Sequence, residues 1–201
     1  MEEGVKSPSG RSPHSDDATD VALLRRIGAG DRNALRDLYN TYYHPLLRFM
    51  YRVTRRLDLA QECVNDVMMV VWRNSQSFGH RSSVSTWLMG IGYRKALKSL
   101  EAHRRWTDRF AAVDFDAWIE RSEPPAEHTD DADLRDLLEE GMRHLSPEQR
   151  AVVELTYFYG CSYEEIAEIA ACPVNTVKTR MFHARAKLKT LLPALGKDAP
   201  P

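Results

Sequence analysis

The stretch from Leu145 to Leu192, LSPEQRAVVELTYFYGCSYEEIAEIAACPVNTVKTRMFHARAKLKTLL, decides the fold of the second half of this chain. Ser146 and Ser162 each precede a helical pattern. Gln149 and Glu165 follow them three positions later, which is the signature of a capping box at a helix start. With a three-residue turn between the second and third helices, the spacing predicts a helix-turn-helix.

The last helix of this stretch has two chemically different sides. Pro173 favours a break before it, because proline disfavours helical geometry at Cys172 and suits a first helical position. Apolar residues recur every three or four positions and predict one buried stripe: Val174, Val177, Met181, Ala184, Leu188 and Leu191. Off the stripe lie Asn175, Thr176, Lys178, Thr179, Arg180, His183, Arg185, Lys187 and Lys189. Positions 173–192 contain no Asp or Glu.

A solvated helix face is the ordinary explanation for a lone basic helix. Here cap, turn and stripe occur together, and this combination favours DNA contact. Asn175, Lys178 and Arg180 are near the helix N-terminus and are best placed to reach base edges. Residues further along are predicted to meet phosphates: Arg185, Lys187 and Lys189.

Composition bounds the rest of the chain. With 201 residues, 43% hydrophobic and 28% charged, it is long enough for one large or two small globular domains. No apolar run approaches the roughly 20 residues of a membrane span, and the N-terminus lacks a signal-peptide core, so we expect a cytoplasmic protein. Cys63, Cys161 and Cys172 are too few and too scattered for a disulfide framework or a metal site, and no cofactor is predicted.

The net charge of −1 hides a strong segregation of charge. Acidic residues crowd positions 114–140, whereas basic residues concentrate in 94–109 and 178–189. Because salt screens fields beyond roughly 10 Å, the local charge decides whether phosphates are attracted.

The hydrophobic pattern predicts an all-α chain of two small helical domains joined by a flexible acidic linker. Helix starts are predicted at Asp20 and Asp31, with further helices over 57–72 and 86–105. No strand-like alternation appears in the sequence. The predicted divisions are a disordered tail (1–19), a first domain (20–109), the linker (110–133), a second domain (134–195) and a short tail (196–201).

Four motifs carry a family resemblance: Gly30 to Tyr42 ("GD..A…LY..Y"), Asp66 to Trp72 ("D..Q..F…W"), Phe78 to Leu88 ("F….F..WL") and Leu145 to Leu188. On these motifs the chain resembles the sigma-70 family of RNA polymerase sigma factors, specifically the small extracytoplasmic-function (ECF) type with domains 2 and 4 only. The likeness covers about 21–109 and 134–192, and it is stronger in the second region.

The resemblance implies partners and sites. Family members bind the clamp and flap of core RNA polymerase and promoter DNA, and an anti-sigma factor, often membrane-anchored, usually holds them inactive. The polymerase-binding helix would carry Asp66, Val67, Val70, Trp72 and Arg73. The residues for the opened −10 element would be His80, Arg81, Ser82, Trp87, Tyr93, Arg94, Lys95 and Lys98. Those for the −35 duplex would be Asn175, Thr176, Lys178, Thr179, Arg180, His183 and Arg185.

Simpler explanations remain for some of these positions. Val67 and Val70 are at least as well explained as core residues, and Trp87 is better explained as core than as a base-stacking platform. Arg94 and Lys98 replace the polar residues usual in the family, which alters the expected −10 base preference and adds charge for strand binding. The acidic linker is either a nucleic-acid mimic inside the polymerase cleft or a solvated spacer.

Two other classes of protein compete with this interpretation. A conventional helix-turn-helix regulator would bind duplex DNA without polymerase, as a dimer on paired half-sites. An enzyme is disfavoured because the seven histidines are dispersed and no nucleophile motif, phosphate loop or metal pattern occurs in the sequence.

Overall fold

The computed structural model describes residues 17–107 and 138–195, and every regular element in these two ranges is helical. We call the two ranges the first and second units. The first unit contains α1 (Asp17–Gly28), α2 (Arg32–Thr54), α3 (Leu57–Asn74), a 3-10 turn (Ser75–Ser77) and α4 (Val84–Thr107). The second contains helical residues 138–143 (α5), α6 (Pro147–Tyr157), α7 (Tyr163–Ala170) and α8 (Val174–Leu195). The predicted all-α class is confirmed.

Some sequence predictions fall on positions outside these ranges. They concern the acidic linker at 110–133, the short tail at 196–201 and the N-terminal tail up to residue 16. Residues 17–19, which the composition assigns to that tail, form the first turn of α1 instead. No helix of the described residues is long and apolar enough to cross a membrane.

Helix α2 is the centre of the first unit. Its apolar residues at three- and four-residue spacing, including Leu38, Leu46 and Phe49, are fully buried against α1, α3 and α4. Asp31 begins the helix as predicted, because its carboxylate accepts the backbone N–H groups of Asn33 (2.9 Å) and Ala34 (3.2 Å). At Gly92 of α4, the end of the Met50 side chain of α2 occupies the space that a larger residue would need, since an added Cβ would lie 2.7 Å from Met50 Cε.

Two helix starts differ from the prediction. The sequence predicts a cap at Asp20, but α1 begins at Asp17, and Asp20 is buried and accepts a hydrogen bond from the Tyr42 hydroxyl. Asp17 accepts the backbone N–H of Val84 at 2.9 Å, so α4 begins at Val84 and not at residue 86. In both cases the carboxylate has a partner distant in sequence, which local patterns do not show.

The starts of α6 and α7 are as predicted. The Ser146 hydroxyl accepts the N–H of Gln149 and the Gln149 side chain accepts the N–H of Ser146, which completes a capping box. Ser162 and Glu165 form the same reciprocal pair at the start of α7. Each box satisfies backbone donors that a helix N-terminus would otherwise leave unpaired.

The two units pack against each other, which the sequence did not predict. The contacts are made by α2 with α6 and by α4 with α7, and we refer to them together as the inter-unit contact. Phe49 and Tyr159 meet edge to face with ring centroids 5.7 Å apart, and the Tyr159 hydroxyl donates to the Pro45 carbonyl at 2.8 Å. Buried apolar side chains of both units therefore form one continuous cluster.

Candidate nucleic-acid interface

The turn between α7 and α8 sets the angle of the helix-turn-helix. Ala171 ends α7 in the left-handed conformation (φ 48°), and its N–H bonds to the carbonyls of Ala167 and Glu168. For a residue with a Cβ this conformation costs roughly 1–2 kcal/mol. The Pro173 carbonyl then accepts the first hydrogen bonds of α8, from Thr176 and Val177. Helix α7 therefore ends and α8 begins within a short turn, as the sequence predicts.

Helix α8 presents the two sides expected from its spacing. Of the predicted stripe, Val177, Met181, Ala184 and Leu188 are buried, while Val174 and Leu191 are half-buried. The opposite side is solvent-exposed and carries these predicted DNA-contact residues: Asn175, Lys178, Thr179, His183, Arg185, Lys187 and Lys189. Thr176 and Arg180 are half-buried at the margin of the stripe. The exposed side of α8 therefore carries a row of hydrogen-bond donors and cationic side chains.

A groove of about 420 Å³ runs along one side of α8, between α8 and the start of α6. It is lined by Ser146, Glu148, Gln149, Asn175, Thr176, Thr179, Arg180 and His183. The groove joins two segments that are distant in sequence. Glu148 is the acidic member of this set, and its carboxylate is able to accept hydrogen bonds but would repel phosphate.

A second groove, of about 430 Å³, runs along the other side of α8. It is lined by Tyr163, Lys178, Met181, Phe182, Arg185, Ala186 and Lys189. Phe182 is 69% exposed there, between cations, and the sequence pattern of charges did not indicate it. Its position just off the apolar stripe is the signal that could have found it, because an aromatic side chain on the polar side of a recognition helix is suited to contact thymine methyl groups.

Two cations of α8 are held by the second unit itself. The Arg185 guanidinium donates to the Tyr157 hydroxyl at 2.6 Å and 3.1 Å and lies over the Tyr157 ring. Lys187 donates to the backbone carbonyl of His144. Neither partner is a carboxylate, so both side chains keep their positive charge available to an anion while their positions are fixed.

Arg180 points away from the exposed side of α8. Its Nη1 lies 3.6 Å from the sulfur of Cys172, and the guanidinium is close to the Tyr93 hydroxyl of α4. Tyr93 is only 2% exposed, and burial raises its pKa to about 12. A predicted −35 residue and a predicted −10 residue thus face each other across the inter-unit contact.

The other predicted −10 residues lie on the loop before α4 and on α4 itself. His80, at φ 52°, and Arg81 are exposed, and Ser82 is half-buried. Trp87 is half-buried and packs on Phe78 with ring centroids 5.5 Å apart, which agrees with a core role. Arg94 and Lys98 are exposed along the same helix, and Lys95 is half-buried between them.

The predicted polymerase-binding residues divide into a buried and an exposed group. Val67 is completely buried in the first unit, and Val70 and Trp72 pack partly against its core. Arg73 is exposed. Asp66 forms an ion pair of 2.8 Å with Lys95 of α4, so the helix assigned to the polymerase and the helix assigned to the −10 strand are linked by charge. Among the described residues, no group of His, Cys, Asp and Glu is arranged to bind a metal.

Both units match protein families of one kind. Residues 38–106 match the family described as Sigma-70 region 2, and residues 135–188 match Sigma-70, region 4. These matches correspond to the α2–α4 bundle and to the helix-turn-helix unit.

Individual proteins show the same relationship over nearly the whole chain. The ECF RNA polymerase sigma factor SigK of Mycobacterium tuberculosis is 27% identical over 175 residues, covering 85% of this chain and 92% of SigK. The RNA polymerase sigma-H factor of Pseudomonas aeruginosa is 29% identical over 187 residues, covering 90% and 97%.

A solved structure extends the likeness to three dimensions. The sigma factor RpoE of Bartonella quintana, in complex with the anti-sigma factor NepR, superimposes with a TM-score of 0.63 at 26% identity and covers 78% of this chain and 95% of that one. The chain thus combines a helix-turn-helix that exposes a cationic α8, a helical unit of the region 2 family and relatives of matching length. It belongs to the ECF group of the sigma-70 family of RNA polymerase sigma factors.

Proposed function

We propose that this sigma factor binds core RNA polymerase, recognises −35 and −10 promoter elements and promotes DNA melting, and that it acts by binding and not by catalysis. The observation that carries the proposal is the pairing of two different surfaces in one chain: the exposed, acid-free side of α8 and the basic α4 of the region 2 unit. A cytoplasmic location and the divisions at 20–109 and 134–195 belong to the same proposal.

The −35 duplex would be read by α8 in the major groove. Asn175 and Lys178 lie near its exposed N-terminal end, where recognition helices meet base edges. Phe182 joins this set, because its exposed ring is suited to thymine methyl contact. Arg185 is fixed by Tyr157, and the groove beside α6 adds Thr176, Thr179, Arg180 and His183.

The opened −10 strand would lie along the loop and α4. Extruding a base costs a few kcal/mol, which stacking and cationic contacts with the displaced strand offset. Trp87 is half-buried and packs on Phe78, so only part of its ring is available to stack on a base. The extruded base would be held by the loop residues His80, Arg81 and Ser82, and the strand backbone would meet Arg94, Lys95 and Lys98.

The polymerase clamp would meet the exposed side of α3. Asp66 and Arg73 supply polar contacts there, and Met69 is 48% exposed beside them. Val67 contributes by holding the helix in the core, while Val70 and Trp72 are half-buried and offer part of their surface. The flap would meet the second unit.

An anti-sigma factor is the remaining proposed partner. The Bartonella quintana relative was solved with its anti-sigma factor NepR, and the fold similarity extends over 78% of this chain. The same class of partner is therefore proposed here, including members anchored to a membrane.

The decisive experiment is run-off transcription from a random promoter library, with core polymerase alone and with this chain added. The expected result is a set of transcripts that appears only with the chain and shares sequence at two upstream positions. Failure to co-elute with core polymerase, together with binding of a paired half-site duplex as a dimer, would establish the conventional regulator instead.

A further inference from the structure

Tyr157, the last residue of α6, carries an aromatic side chain that the second unit leaves in contact with solvent. It is 59% exposed, although Val152 and Leu155 of the same helix are buried. Its hydrogen-bond partner is Arg185 of α8, 28 positions later in the chain. The pair therefore connects the end of α6 to the exposed side of α8, and no sequence pattern indicated it.

The hydrogen bonds of this pair orient the Tyr157 hydroxyl group. Arg185 donates from Nε at 3.1 Å and from Nη2 at 2.6 Å, and its guanidinium carbon lies 5.7 Å from the centre of the Tyr157 ring. A phenolic oxygen accepts hydrogen bonds and also donates one proton. Because the oxygen accepts from Arg185, its own proton points away from the guanidinium. No hydrogen bond donated by this hydroxyl occurs among the described residues.

Arg185 also has donors to spare. A guanidinium group has five N–H donors, and two of them are directed at Tyr157. Its own helix supplies no neutralising carboxylate, since positions 173–192 contain no Asp or Glu. The pair thus presents one O–H donor, several N–H donors and one positive charge to solvent. This combination suits an anion with more than one oxygen atom.

The position of the pair along α8 indicates which anion it meets. Arg185 follows Lys178 by seven residues, which is about 10 Å along the helix axis. Both line the same groove beside α8, with Phe182 between them. The major groove of DNA is about 12 Å wide, and the sugar–phosphate backbones form its edges. With Lys178 at the base edges, Arg185 and Tyr157 lie at the edge of the groove.

We propose that Tyr157 and Arg185 together bind one backbone phosphate of the −35 duplex, with the Tyr157 hydroxyl donating to one phosphate oxygen and the guanidinium donating to another. Tyrosine and arginine are both among the donors that proteins use for phosphate contacts. The inference rests on the proposed function and deepens it. It assigns a DNA contact to α6, outside the two helices of the helix-turn-helix.

The contact between the two side chains also prepares Arg185 for DNA. A long side chain loses conformational entropy when a ligand immobilises it, and a side chain that is already held loses less. Tyr157 holds Arg185 with a neutral hydroxyl group, so the positive charge is not cancelled. Tyr157 is therefore both a phosphate donor and a positioning residue for Arg185.

Promoter binding by the full chain assembled with core polymerase tests this assignment. The probe is a fluorescent duplex that contains the upstream element of a promoter recovered in the run-off experiment and ends before its −10 element. Tyr157→Phe removes only the hydroxyl group. Tyr39→Phe, at a half-buried position of α2 in the first unit, is the matched control. We expect about tenfold weaker binding for Tyr157→Phe, as for the loss of one hydrogen bond to a charged group, and no change for Tyr39→Phe. Circular dichroism should be the same for all three proteins.

Salt dependence separates the hydroxyl group from the charge. Arg185→Ala removes a cation, so the slope of log affinity against log salt concentration should fall by about 1. Tyr157→Phe removes no charge and should keep the wild-type slope. Arg185→Lys keeps the charge but lacks the planar fork of donors, so it should weaken binding with the wild-type slope.

Methylphosphonate linkages locate the phosphate, because each replaces one charged phosphate oxygen by a methyl group. They are placed one at a time along both strands of the duplex. At one position the replacement should weaken binding of the wild type about tenfold and that of Tyr157→Phe much less, because the variant has already lost this contact. A hydroxyl group that only supports the packing of α6 on α8 would leave Tyr157→Phe as sensitive as the wild type at every position. That result, or wild-type affinity in Tyr157→Phe, would overturn the inference.

Failure of the proposed function gives a different result. In that case core polymerase and the chain yield no promoter in the run-off experiment, and the wild type binds all duplexes equally, so both proposals are wrong. Selective binding by the wild type, together with a Tyr157 hydroxyl group that has no effect, overturns the phosphate assignment alone.

Discussion

The interior of the first unit and the inter-unit contact bury residues of opposite character. Leu38, Leu46 and Val67 are completely buried and apolar, and their spacing on α2 and α3 follows the helical period. In the inter-unit contact, Arg150 and Glu154 are almost as inaccessible, yet both contain polar atoms that have no hydrogen-bond partner among the described residues. Glu154 Oε1 has only a long ion pair, to Arg52 Nε at 3.8 Å. The first arrangement is that of an apolar core, whereas the second buries polar atoms whose hydrogen bonding is incomplete.

This difference has a consequence for stability and function. Truncating a core side chain removes packing that nothing replaces, whereas replacing a buried charge with an apolar side chain relieves the cost of removing that charge from water. Substitutions in the two regions should therefore change stability in opposite directions.

The largest effect is expected in the core of the first unit. Leu46→Ala should lower the free energy of unfolding by about 2–5 kcal/mol, because the side chain is completely buried and leaves a cavity. Urea unfolding followed by circular dichroism measures this loss. Arg36→Ala, at an exposed position of the same helix, is the control and should change stability by less than about 0.5 kcal/mol. Similar losses for both variants would remove the contrast on which the comparison depends.

Arg150→Met should leave stability unchanged or raise it by about 1–4 kcal/mol, because it replaces a poorly paired buried guanidinium with an apolar side chain. Burial already lowers the pKa of Arg150 to about 10, which reflects the same cost. The midpoint of urea unfolding measures the change, with Arg143→Met on the exposed surface as control. A loss of stability near 2 kcal/mol, roughly the cost of breaking a satisfied buried group, would show that Arg150 is well accommodated.

Arg180 and Lys189 distinguish the covered and the open parts of α8. Arg180→Ala should cost about 1–3 kcal/mol in promoter binding with altered sequence preference, whereas Lys189→Ala should weaken all sequences evenly and reduce the salt slope by about 1. Fluorescence anisotropy on matched and mismatched −35 duplexes at several salt concentrations separates the two effects. Unchanged sequence discrimination in Arg180→Ala would leave that residue with a role in the inter-unit contact only.

The last predicted effect is a dependence of stability on pH. Burial raises the pKa of Glu154 to about 7, while Arg48, Arg52 and Arg55 of α2 and Glu139 of α5 face it. In the unfolded chain this carboxyl group has its ordinary pKa of 4.5, so the folded chain binds a proton there more tightly than the unfolded chain does. The contribution of Glu154 to the free energy of unfolding should therefore rise as the pH falls from about 7 to about 4.5, by at most about 1.4 kcal/mol per pH unit for one proton.

Urea unfolding at both ends of this pH range measures the change. Glu154→Gln is the control, because an uncharged amide of the same shape removes this titration. A difference in stability between the wild-type chain and Glu154→Gln that stays the same at both pH values would contradict the assigned titration.

Much of the second unit was predictable from sequence because its determinants are local. Capping boxes at Ser146 and Ser162, the turn before Pro173 and the apolar stripe of α8 each depend on residues only a few positions apart. The exposed side of α8 followed from the same spacing. Phe182 was missed because the spacing of charges, and not exposed aromatic surface, indicated the DNA-binding residues.

Only the tertiary structure decided the features that depend on partners distant in sequence. Local patterns assign a capping role to Asp20 and a tail position to Asp17, but these residues bond to Tyr42 and Val84. The direction of Arg180, the burial of Tyr93 and the packing of the two units likewise arise from long-range contacts.

The sequence by itself therefore determined the helical class, the caps at Asp31, Ser146 and Ser162 and the buried side of α8, because hydrogen bonds and helical periodicity act over a few residues. It did not determine which surface covers each buried side. Apolar burial is non-directional and rewards any surface that excludes water, so the pairing of α2 with α6 and of α4 with α7 was settled only when the whole chain folded.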